Sequence, residues 1–206
     1  MTRGRFISLE GVDGAGKSTH VAWIAERLRA RGHGLLVTRE PGGTPLAERL
    51  RELVLALPMD PIAETMLLFA ARADHVQREI APALEAGTWV LCDRFTDATF
   101  AYQGGGKGVA AELIAHLALV SHDGLLPDLT LVFDCPYEVS RERLRQTGRE
   151  PDRFEREDRP FFERVRQAYL ALARTHPERI RVIDATGSVD NVKKMVDEEL
   201  LTIGKK

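Results

Sequence analysis

One string near the N-terminus constrains the fold of this chain more than any other feature. Residues 11–18 read Gly-Val-Asp-Gly-Ala-Gly-Lys-Ser and match the pattern G-x-x-x-x-G-K-[ST]. The string follows a predicted buried strand and opens a predicted helix. Glycines there let backbone N–H groups turn inward around phosphate oxygens, and the helix N-terminus adds partial positive charge. The sequence therefore predicts a phosphate-binding loop, the P-loop, between a strand and a helix.

The P-loop predicts a nucleotide phosphate as its ligand. Lys17 would supply a point charge to the transferred phosphate, and the Ser18 hydroxyl can hold Mg²⁺. A glycine-rich strand–helix turn without a ligand is the alternative, and the placement of the string disfavours it. The predicted ATP-binding residues are Gly11, Val12, Asp13, Gly14, Ala15, Gly16, Lys17, Ser18 and Thr19.

Short apolar runs alternate with longer helical patterns along the whole chain. The predicted strands are Phe6–Glu10, Leu35–Arg39, Trp89–Asp93, Leu129–Asp134 and Ile180–Ile183. The predicted helices are 18–31, 45–57, 62–86, 109–122, 137–147, 160–176 and 188–201. Short runs rich in Val, Ile, Leu and Phe are typical of buried parallel strands. The alternation predicts an α/β fold in one domain, 1–206, with a five-stranded parallel sheet flanked by helices in three layers.

The composition excludes several classes of protein. A net charge of -2 argues against a strongly basic nucleic-acid binder. We find no apolar run of membrane-spanning length, and the N-terminal apolar stretch is too short for a signal peptide. Cys92 and Cys135 each end an apolar run, as reduced core cysteines do. We therefore expect a cytoplasmic protein that binds neither nucleic acid nor membrane.

Other short strings narrow the class of P-loop protein. Guanine-specific switch proteins carry an N-K-x-D string, which is absent from this sequence, and its one D-x-x-G string, Asp13 to Gly16, lies inside the P-loop. The chain is also short for an ATPase motor, so a small-molecule kinase remains. Residues 147–160 are highly charged and hold two prolines, which is typical of a mobile surface segment inserted in a compact domain.

Several further strings, in order, carry a family resemblance. They are EGVDGAGKST at 10–19, TREPGGTPLAERLR at 38–51, CDRFTDATFAYQGGG at 92–106, PDLTLVFDCP at 127–136 and GREPDRFE at 148–155. On these strings the sequence resembles the thymidylate kinases over essentially its whole length. The resemblance implies a nucleoside monophosphate kinase fold with a lid at approximately 147–160. It also implies transfer of the γ-phosphate of ATP to dTMP, giving dTDP and ADP, with Mg²⁺, and it implies a homodimer.

Asp93 and Arg94 end the third predicted strand, beside the P-loop in a sheet of this kind. A carboxylate there can hold Mg²⁺, and an arginine there can span the donor and acceptor phosphates. A surface ion pair is the alternative, but ligands bind at the carboxyl edge of open α/β sheets. The resemblance implies the same roles, with Ser18 and Asp93 as the metal-binding residues.

The resemblance also implies how the acceptor nucleotide is bound. Arg39 would face its phosphate, and Asp13 would bind its 3'-hydroxyl. Phe69 would stack on thymine, and Arg72, on the same helix face, would bond a base carbonyl. A short helical segment would contact the base and pack beside the sugar; Ala98 stands in it where relatives commonly have serine. The implied dTMP-binding residues are Asp13, Arg39, Phe69, Arg72, Arg94, Thr99, Tyr102 and Gln103.

The chemistry of the transfer calls for cations. The acceptor phosphate is mostly dianionic at neutral pH, so it needs charge neutralisation and no general base. In one subset of thymidylate kinases an arginine follows the acidic residue of the P-loop, where this chain has Gly14. The sequence resembles the other subset, in which the lid supplies the arginine at the ATP end of the site. The implied catalytic residues are Lys17, Arg94, Arg149 and Arg153.

Two other functions stay open from the sequence. A deoxynucleoside kinase would share the P-loop but should need a carboxylate base near the acceptor hydroxyl. A nucleotide-binding regulator would bind ATP without turnover. The apolar faces of helices 62–86 and 109–122 are candidates for the dimer contact, and burial of these faces within the monomer is the alternative.

Overall fold

A five-stranded parallel sheet forms the centre of the computed structural model, which describes residues 3–203. The strands lie in the order β2-β3-β1-β4-β5, and every pair is parallel. Their bounds are β1 Phe6–Glu10, β2 Leu35–Arg39, β3 Trp89–Asp93, β4 Leu129–Asp134 and β5 Ile180–Asp184. The predicted α/β fold with its parallel sheet is confirmed.

Helices connect the strands and cover both faces of the sheet. They are α1 Lys17–Ala30, α2 Pro45–Ala56, α3 Pro61–His75, α4 Ala81–Glu85, α5 Thr96–Thr99, α6 Ala111–His122, α7 Tyr137–Gln146, α8 Arg159–Thr175 and α9 Val189–Leu200. Within residues 3–203, none of them has the length and apolar character needed to span a bilayer. The helix predicted over 62–86 is three segments, because the π-helical turn Val76–Ile80 separates α3 from α4. A second π-helical segment, Phe100–Gly106, follows α5.

Side-chain caps fix where two of these helices begin. The Thr44 hydroxyl accepts the Ala47 N–H at 3.1 Å, and Pro45 is the first residue of α2. Asp158 caps α8 in the same way, accepting the Phe161 N–H at 2.8 Å. A capping oxygen satisfies a backbone donor that the helix itself leaves unpaired, and proline suits the first turn. These caps set the point at which the chain turns away from the sheet edge.

Neighbouring residues of β1 enter different apolar clusters. Phe6 packs with Ile80 and Val90 on one face of the sheet, whereas Ile7 and Leu9 belong to the larger cluster on the other face. Alternation of this kind follows from the period of two along a strand, and here both faces are apolar because helices cover both. The buried sheet is therefore a rigid base for the residues at its carboxyl edge.

The strand register brings the predicted site residues to that edge. Asp93 of β3 lies opposite Leu9 of β1 and opposite Arg39 of β2. The P-loop begins one residue after β1 ends at Glu10. The ends of β1, β2 and β3 therefore meet around the loop, which is the position where open α/β sheets bind ligands.

Helix α7 packs directly on the P-loop. The Ser140 hydroxyl donates to the Asp13 carbonyl at 2.7 Å. A Cβ atom at Gly14, whose φ is +75°, would lie 2.5 Å from the Ser140 carbonyl oxygen and 3.0 Å from Leu144 Cγ. The obstacle is backbone, so the space at position 14 suits glycine alone.

We expect Gly14→Ala to destabilise the protein more than the matched change Gly108→Ala. Gly108 has nearly the same φ, +76°, but a Cβ there would meet nothing within 4 Å. Both variants incur the cost of a left-handed residue, about 1–2 kcal/mol. Only Gly14→Ala adds overpacking, roughly 1–3 kcal/mol more. Thermal unfolding of both variants measures the difference, and equal Tm values would contradict this account of the loop.

Candidate active site

Lys17 lies over the P-loop with its ammonium group turned toward the loop's carbonyl oxygens. Nζ donates to Gly11 O at 3.0 Å and to Val12 O at 3.2 Å, and the side chain is buried. Burial first, and then the positive charge of Arg94, lower the pKa of Lys17, while nearby carboxylates such as Asp93 oppose that shift. The P-loop therefore carries a cation held at its mouth, as the sequence predicted for a phosphate site.

Arg94 is the most heavily bonded side chain of the site. Nη1 donates to Gly11 O at 2.9 Å and to the Tyr169 hydroxyl at 3.1 Å, and Nη2 donates to Asp13 Oδ1 at 2.6 Å and to the Tyr102 hydroxyl at 3.0 Å. Burial alone would lower the pKa of Arg94, but the oxygens of Tyr102 and Asp13 outweigh it and raise that pKa well above its ordinary value. The residue has φ +72°, a backbone strain of the kind found at functional sites.

Asp13 is the acidic residue that a phosphate-binding loop does not itself require. Its carboxylate accepts hydrogen bonds from Arg94 and, at 2.8 Å, from the Tyr102 hydroxyl. Burial would raise the pKa of Asp13, but the charges of Arg94 and Lys17 outweigh burial and lower it. Asp13 is therefore an ionised group between the P-loop and the segment that carries Tyr102.

A cavity lies beside the P-loop, bounded by α3, the segment 96–106 and the connection between α7 and α8. Six of the predicted dTMP-binding residues line this inner cavity: Asp13, Arg72, Arg94, Thr99, Tyr102 and Gln103. They come from four separate stretches of the chain. The structure thus brings together most of the acceptor set that the family resemblance implied.

Arg72 lines the inner cavity and is held in place by Glu40. Its Nε donates to Glu40 Oε2 at 2.6 Å, and His75 Nδ1 is 3.0 Å from Glu40 Oε1. Burial would raise the pKa of Glu40, but the Arg72 charge and the His75 contacts outweigh it and lower that pKa. The buried Nη1 of Arg72 has no hydrogen-bond partner in the described part of the chain. A buried N–H group of this kind calls for a polar ligand atom.

Phe69 lies beside Arg72 but outside the lining of the inner cavity, with the Arg72 guanidinium carbon 4.8 Å from its ring centroid. It belongs to an apolar cluster with Ile114 and Ala118. Leu68 lines the cavity instead. Leu68 is four residues before Arg72, one helical turn, whereas Phe69 is three before it and is rotated toward α6.

Arg39 also lies elsewhere than predicted. It lines a second, open cleft together with Ser18 and Asp93, and its Nη2 is 3.0 Å from Glu48 Oε2. Arg51 lines the inner cavity in its place, with Nη1 donating to Pro41 O at 3.0 Å. Arg39 leaves the end of an edge strand, so its side chain meets the outer cleft; Arg51 approaches the cavity from α2.

The outer cleft unites the two predicted metal ligands. Ser18, at the start of α1, and Asp93, at the end of β3, both line it. The Oδ1 atom of Asp93 is buried, and none of the residues that the structure describes hydrogen-bonds to it. A hydroxyl and an unsatisfied carboxylate oxygen fit Mg²⁺, which takes one or two protein oxygens and completes its octahedron with phosphate oxygens and water.

The middle of the lid, residues 152–155, packs against the site, whereas the residues on either side of it are mostly exposed. Asp152 accepts the N–H groups of Phe154 and Glu155 at 2.9 and 3.0 Å, which shapes the turn. Phe154 lines the inner cavity with its ring edge-on to Tyr102. Arg149, half exposed, is paired with Glu155.

Arg153 is not where the sequence placed it. It was expected at the ATP end of the site, but it reaches across the inner cavity wall, donating to Val54 O of α2 at 2.7 Å and to the Glu64 carboxylate of α3. The reason is electrostatic, because Glu64 is a fully buried carboxylate and attracts nearby cations.

Glu10 is a site residue that the sequence did not single out. It ends β1 and is fully buried. Oε1 accepts the Phe95 N–H at 2.7 Å, and Oε2 accepts the Tyr169 hydroxyl at 2.8 Å. Burial first, and then Asp97, raise the pKa of Glu10 to about 8, although Arg94 opposes the shift. The sequence feature that could have identified Glu10 is an acidic residue at the end of an otherwise apolar strand, directly before the P-loop.

These features define a class of protein. A P-loop at the carboxyl edge of a parallel sheet, a second polar cavity that shares Asp13 and Arg94 with the loop, and a lid beside both are the parts of a P-loop nucleoside monophosphate kinase. The thymidylate kinase family model matches residues 9–196. The chain belongs to the thymidylate kinase family and is an ATP-dependent phosphotransferase.

Individual relatives agree with this assignment over nearly the full chain. The thymidylate kinase of Cupriavidus metallidurans is 55% identical over 201 residues, which cover 98% of this chain and 100% of the relative. That of Bordetella petrii is 56% identical over 198 residues, covering 96% and 95%. The crystal structure of thymidylate kinase from Ehrlichia chaffeensis has a TM-score of 0.80 at 33% identity and covers 97% and 99% of the two chains. The enzyme class and function predicted from the sequence are confirmed.

Glu10 gives the stability of the protein a pH dependence that Glu10→Gln should remove. The pKa of Glu10 is about 8 in the folded protein and near 4.5 in the unfolded chain. Between these values the folded state holds a proton that the unfolded state lacks, so this group's contribution to stability falls as pH rises. The Tm of Glu10→Gln relative to the parent should therefore rise from about pH 5.5 to about pH 8.5. Parallel Tm curves for the two proteins would contradict this.

Proposed function

We propose that this kinase transfers the γ-phosphate of ATP to dTMP, giving dTDP and ADP, with ATP on the P-loop and dTMP in the inner cavity. The observation that carries the proposal is the convergence of six predicted acceptor-binding side chains on one cavity that shares Asp13 and Arg94 with the loop. The relatives that the chain matches are named thymidylate kinases, which supports the same acceptor.

The inner cavity suits a deoxynucleotide. Arg72 would donate to a thymine carbonyl, and Thr99 and Gln103 would meet the neighbouring polar atoms of the base. Tyr102 packs between Arg94 and the Phe154 ring and would fill the space beside C2' of the sugar. The ionised carboxylate of Asp13 would accept a hydrogen bond from the 3'-hydroxyl.

Transfer proceeds by attack of an acceptor phosphate oxygen on the γ-phosphorus, and the bond to the β–γ bridging oxygen breaks to release ADP. The acceptor is already an anion, so the protein supplies charge stabilisation and alignment. Lys17 serves the ATP phosphates from the P-loop. Arg94 lies between the loop and the inner cavity and would contact both substrates; Arg51 would serve the acceptor phosphate from the cavity side.

The ATP of this reaction is proposed to bind as its Mg²⁺ complex. The Ser18 hydroxyl and the orphaned Oδ1 of Asp93 would hold the ion at the outer cleft, directly or through water. Bound there, Mg²⁺ would neutralise charge on the β- and γ-phosphates.

The lid would complete the charge around the transferring group. Gly14 has no side chain, so the P-loop lacks the arginine that some thymidylate kinases carry at this point. Arg149 and Arg153 are the lid residues proposed for the role, and membership of the subset with a lid arginine is part of this proposal. Arg149 is the more exposed of the two, and the partners that it has within residues 3–203 lie in the lid: Glu155 and the Glu150 carbonyl.

We also propose a cytoplasmic homodimer. On α3 the side chains of Ile62 and Met66 are about half exposed, and on α6 those of Leu119 and Val120 are more exposed still. These two helices pack on each other, so the four side chains are candidates for one apolar contact. The free, buried cysteines Cys92 and Cys135 fit a reducing compartment. Sedimentation should give twice the 23.0 kDa monomer mass.

A steady-state panel of acceptors tests the function itself. With ATP and Mg²⁺, dTMP should exceed dCMP, dGMP and AMP by at least tenfold in kcat/KM, about 1.4 kcal/mol of differential stabilisation. Thymidine itself should not react, because the inner cavity offers cations for a phosphate. Equal rates with AMP would reject the thymidylate assignment. Phosphorylation of thymidine would indicate a deoxynucleoside kinase. Binding of ATP without release of ADP would indicate a nucleotide-binding regulator.

The lid arginines should differ from one another when they are removed. Arg149→Ala and Arg153→Ala should each lower kcat by about 10²-fold, the lower side of what an arginine finger contributes. Arg153→Ala should also raise the KM for dTMP, because Arg153 braces the inner cavity wall, whereas Arg149→Ala should leave it unchanged. Arg156→Ala is the matched control, since Arg156 pairs only with the exposed Glu150. If both variants retain turnover within about threefold of the parent, Arg94 must carry the charge instead.

A further inference from the structure

Glu64 is a fully buried carboxylate on which three side chains from two other segments converge. Gln103 Nε2 donates to Oε1 at 2.8 Å. Lys107 Nζ donates to both oxygens at 2.8 and 2.7 Å, and Arg153 of the lid donates to Oε2. Two cations beside one buried carboxylate compensate the cost of removing its charge from water. Glu64 therefore meets Gln103 as a carboxylate.

An ionised carboxylate fixes which end of a neighbouring carboxamide faces it. Carboxylate oxygens only accept hydrogen bonds, whereas a carboxamide has one donating and one accepting end. Gln103 must therefore present its NH₂ group to Glu64. Its oxygen is the end left for a ligand, and Gln103 lines the inner cavity.

The resulting pattern of donors and acceptors discriminates between pyrimidines. Arg72 and Gln103 both line the cavity; Arg72 can only donate, and its Nη1 has no hydrogen-bond partner among residues 3–203, whereas Gln103 has its oxygen left for a ligand. Thymine has a carbonyl next to a ring N–H, which matches a donor beside an acceptor. Cytosine has an amino group next to an unprotonated ring nitrogen. Its amino group would face the N–H donor of Arg72, and its ring nitrogen would face the oxygen of Gln103, so neither pair could form a hydrogen bond. A polar site of this kind rejects the wrong ligand strongly because buried groups are left unpaired.

We propose that Glu64 is a specificity-determining positioning residue, which holds the Gln103 carboxamide with its oxygen toward the acceptor base and thereby excludes cytosine. This inference rests on the proposed function, because it takes the inner cavity as the acceptor site. Glu64 acts through Gln103 and does not touch the substrate. Without the carboxylate, Gln103 can turn over and offer its NH₂ group to cytosine.

The test is the ratio of kcat/KM for dTMP to that for dCMP in Glu64→Gln. The substituted side chain has nearly the same shape, but it can donate as well as accept, so it no longer dictates the orientation of Gln103. The ratio should fall at least tenfold, with dCMP gaining relative to dTMP. Lys107→Met is the matched control, because it removes a cation from the same carboxylate and leaves the bond to Gln103. Its ratio should stay within about threefold of the parent.

Gln103→Leu provides the second variant. It removes the oxygen that reads the base, so its ratio should fall as well, and adding Glu64→Gln to it should cause no further fall. If Glu64→Gln melts below the assay temperature, Gln103→Leu decides alone. An unchanged ratio in Gln103→Leu, or equal losses for both substrates in Glu64→Gln, would overturn the proposal. A parent enzyme that does not use dTMP would instead reject the proposed function.

Discussion

The ion pair between Arg94 and Asp13 joins the P-loop to the inner cavity, and most of the site is arranged around it. The guanidinium of Arg94 also bonds the loop carbonyl of Gly11 and the two tyrosine hydroxyls. Its left-handed backbone is stabilised where Glu10 binds the next N–H group in the chain. One partly buried cation thus links the two binding regions, so that the phosphates of both substrates would meet the same positive charge.

Buried carboxylates do much of this positioning. Glu10, Glu40 and Glu64 are each almost fully buried, and each holds a side chain or backbone group that the proposed site uses. A charged carboxylate in such a place is unfavourable unless cations or several donors meet it. Arg72 supplies a cation at Glu40 and Lys107 one at Glu64, whereas burial raises the pKa of Glu10 to about 8, so Glu10 is protonated at neutral pH. The resulting bonds limit rotation of Arg72, Arg94 and Gln103, which is how a site is preorganised before its ligands arrive.

The sequence predicted the strands, the P-loop and the sheet edge well because each depends on local pattern. A few consecutive residues are enough to show the spacing of apolar residues, the spacing of glycines and the order of strands and helices. The parallel register of the strands then brings Asp93 beside Leu9. The site residues that the sequence did not predict depend on which face of a helix a side chain lies on, or on contacts between residues that are far apart in the chain. Leu68, not Phe69, faces the cavity because of a one-residue shift in helical register. Glu10 and its partner Tyr169 are 159 residues apart, which no local pattern reveals.

The contact between α7 and the P-loop has a further consequence for how such enzymes can diverge. At position 14, where some thymidylate kinases carry an arginine, the Ser140 backbone leaves no room even for a Cβ atom. An arginine could enter this chain only if α7 moved away, and the hydrogen bond from Ser140 to the loop would break with that movement. An arginine in the P-loop and an arginine in the lid therefore require different positions of the α7 backbone. In evolution, the arginine could change from one position to the other only after α7 had shifted, because only then would the change have no effect on fitness.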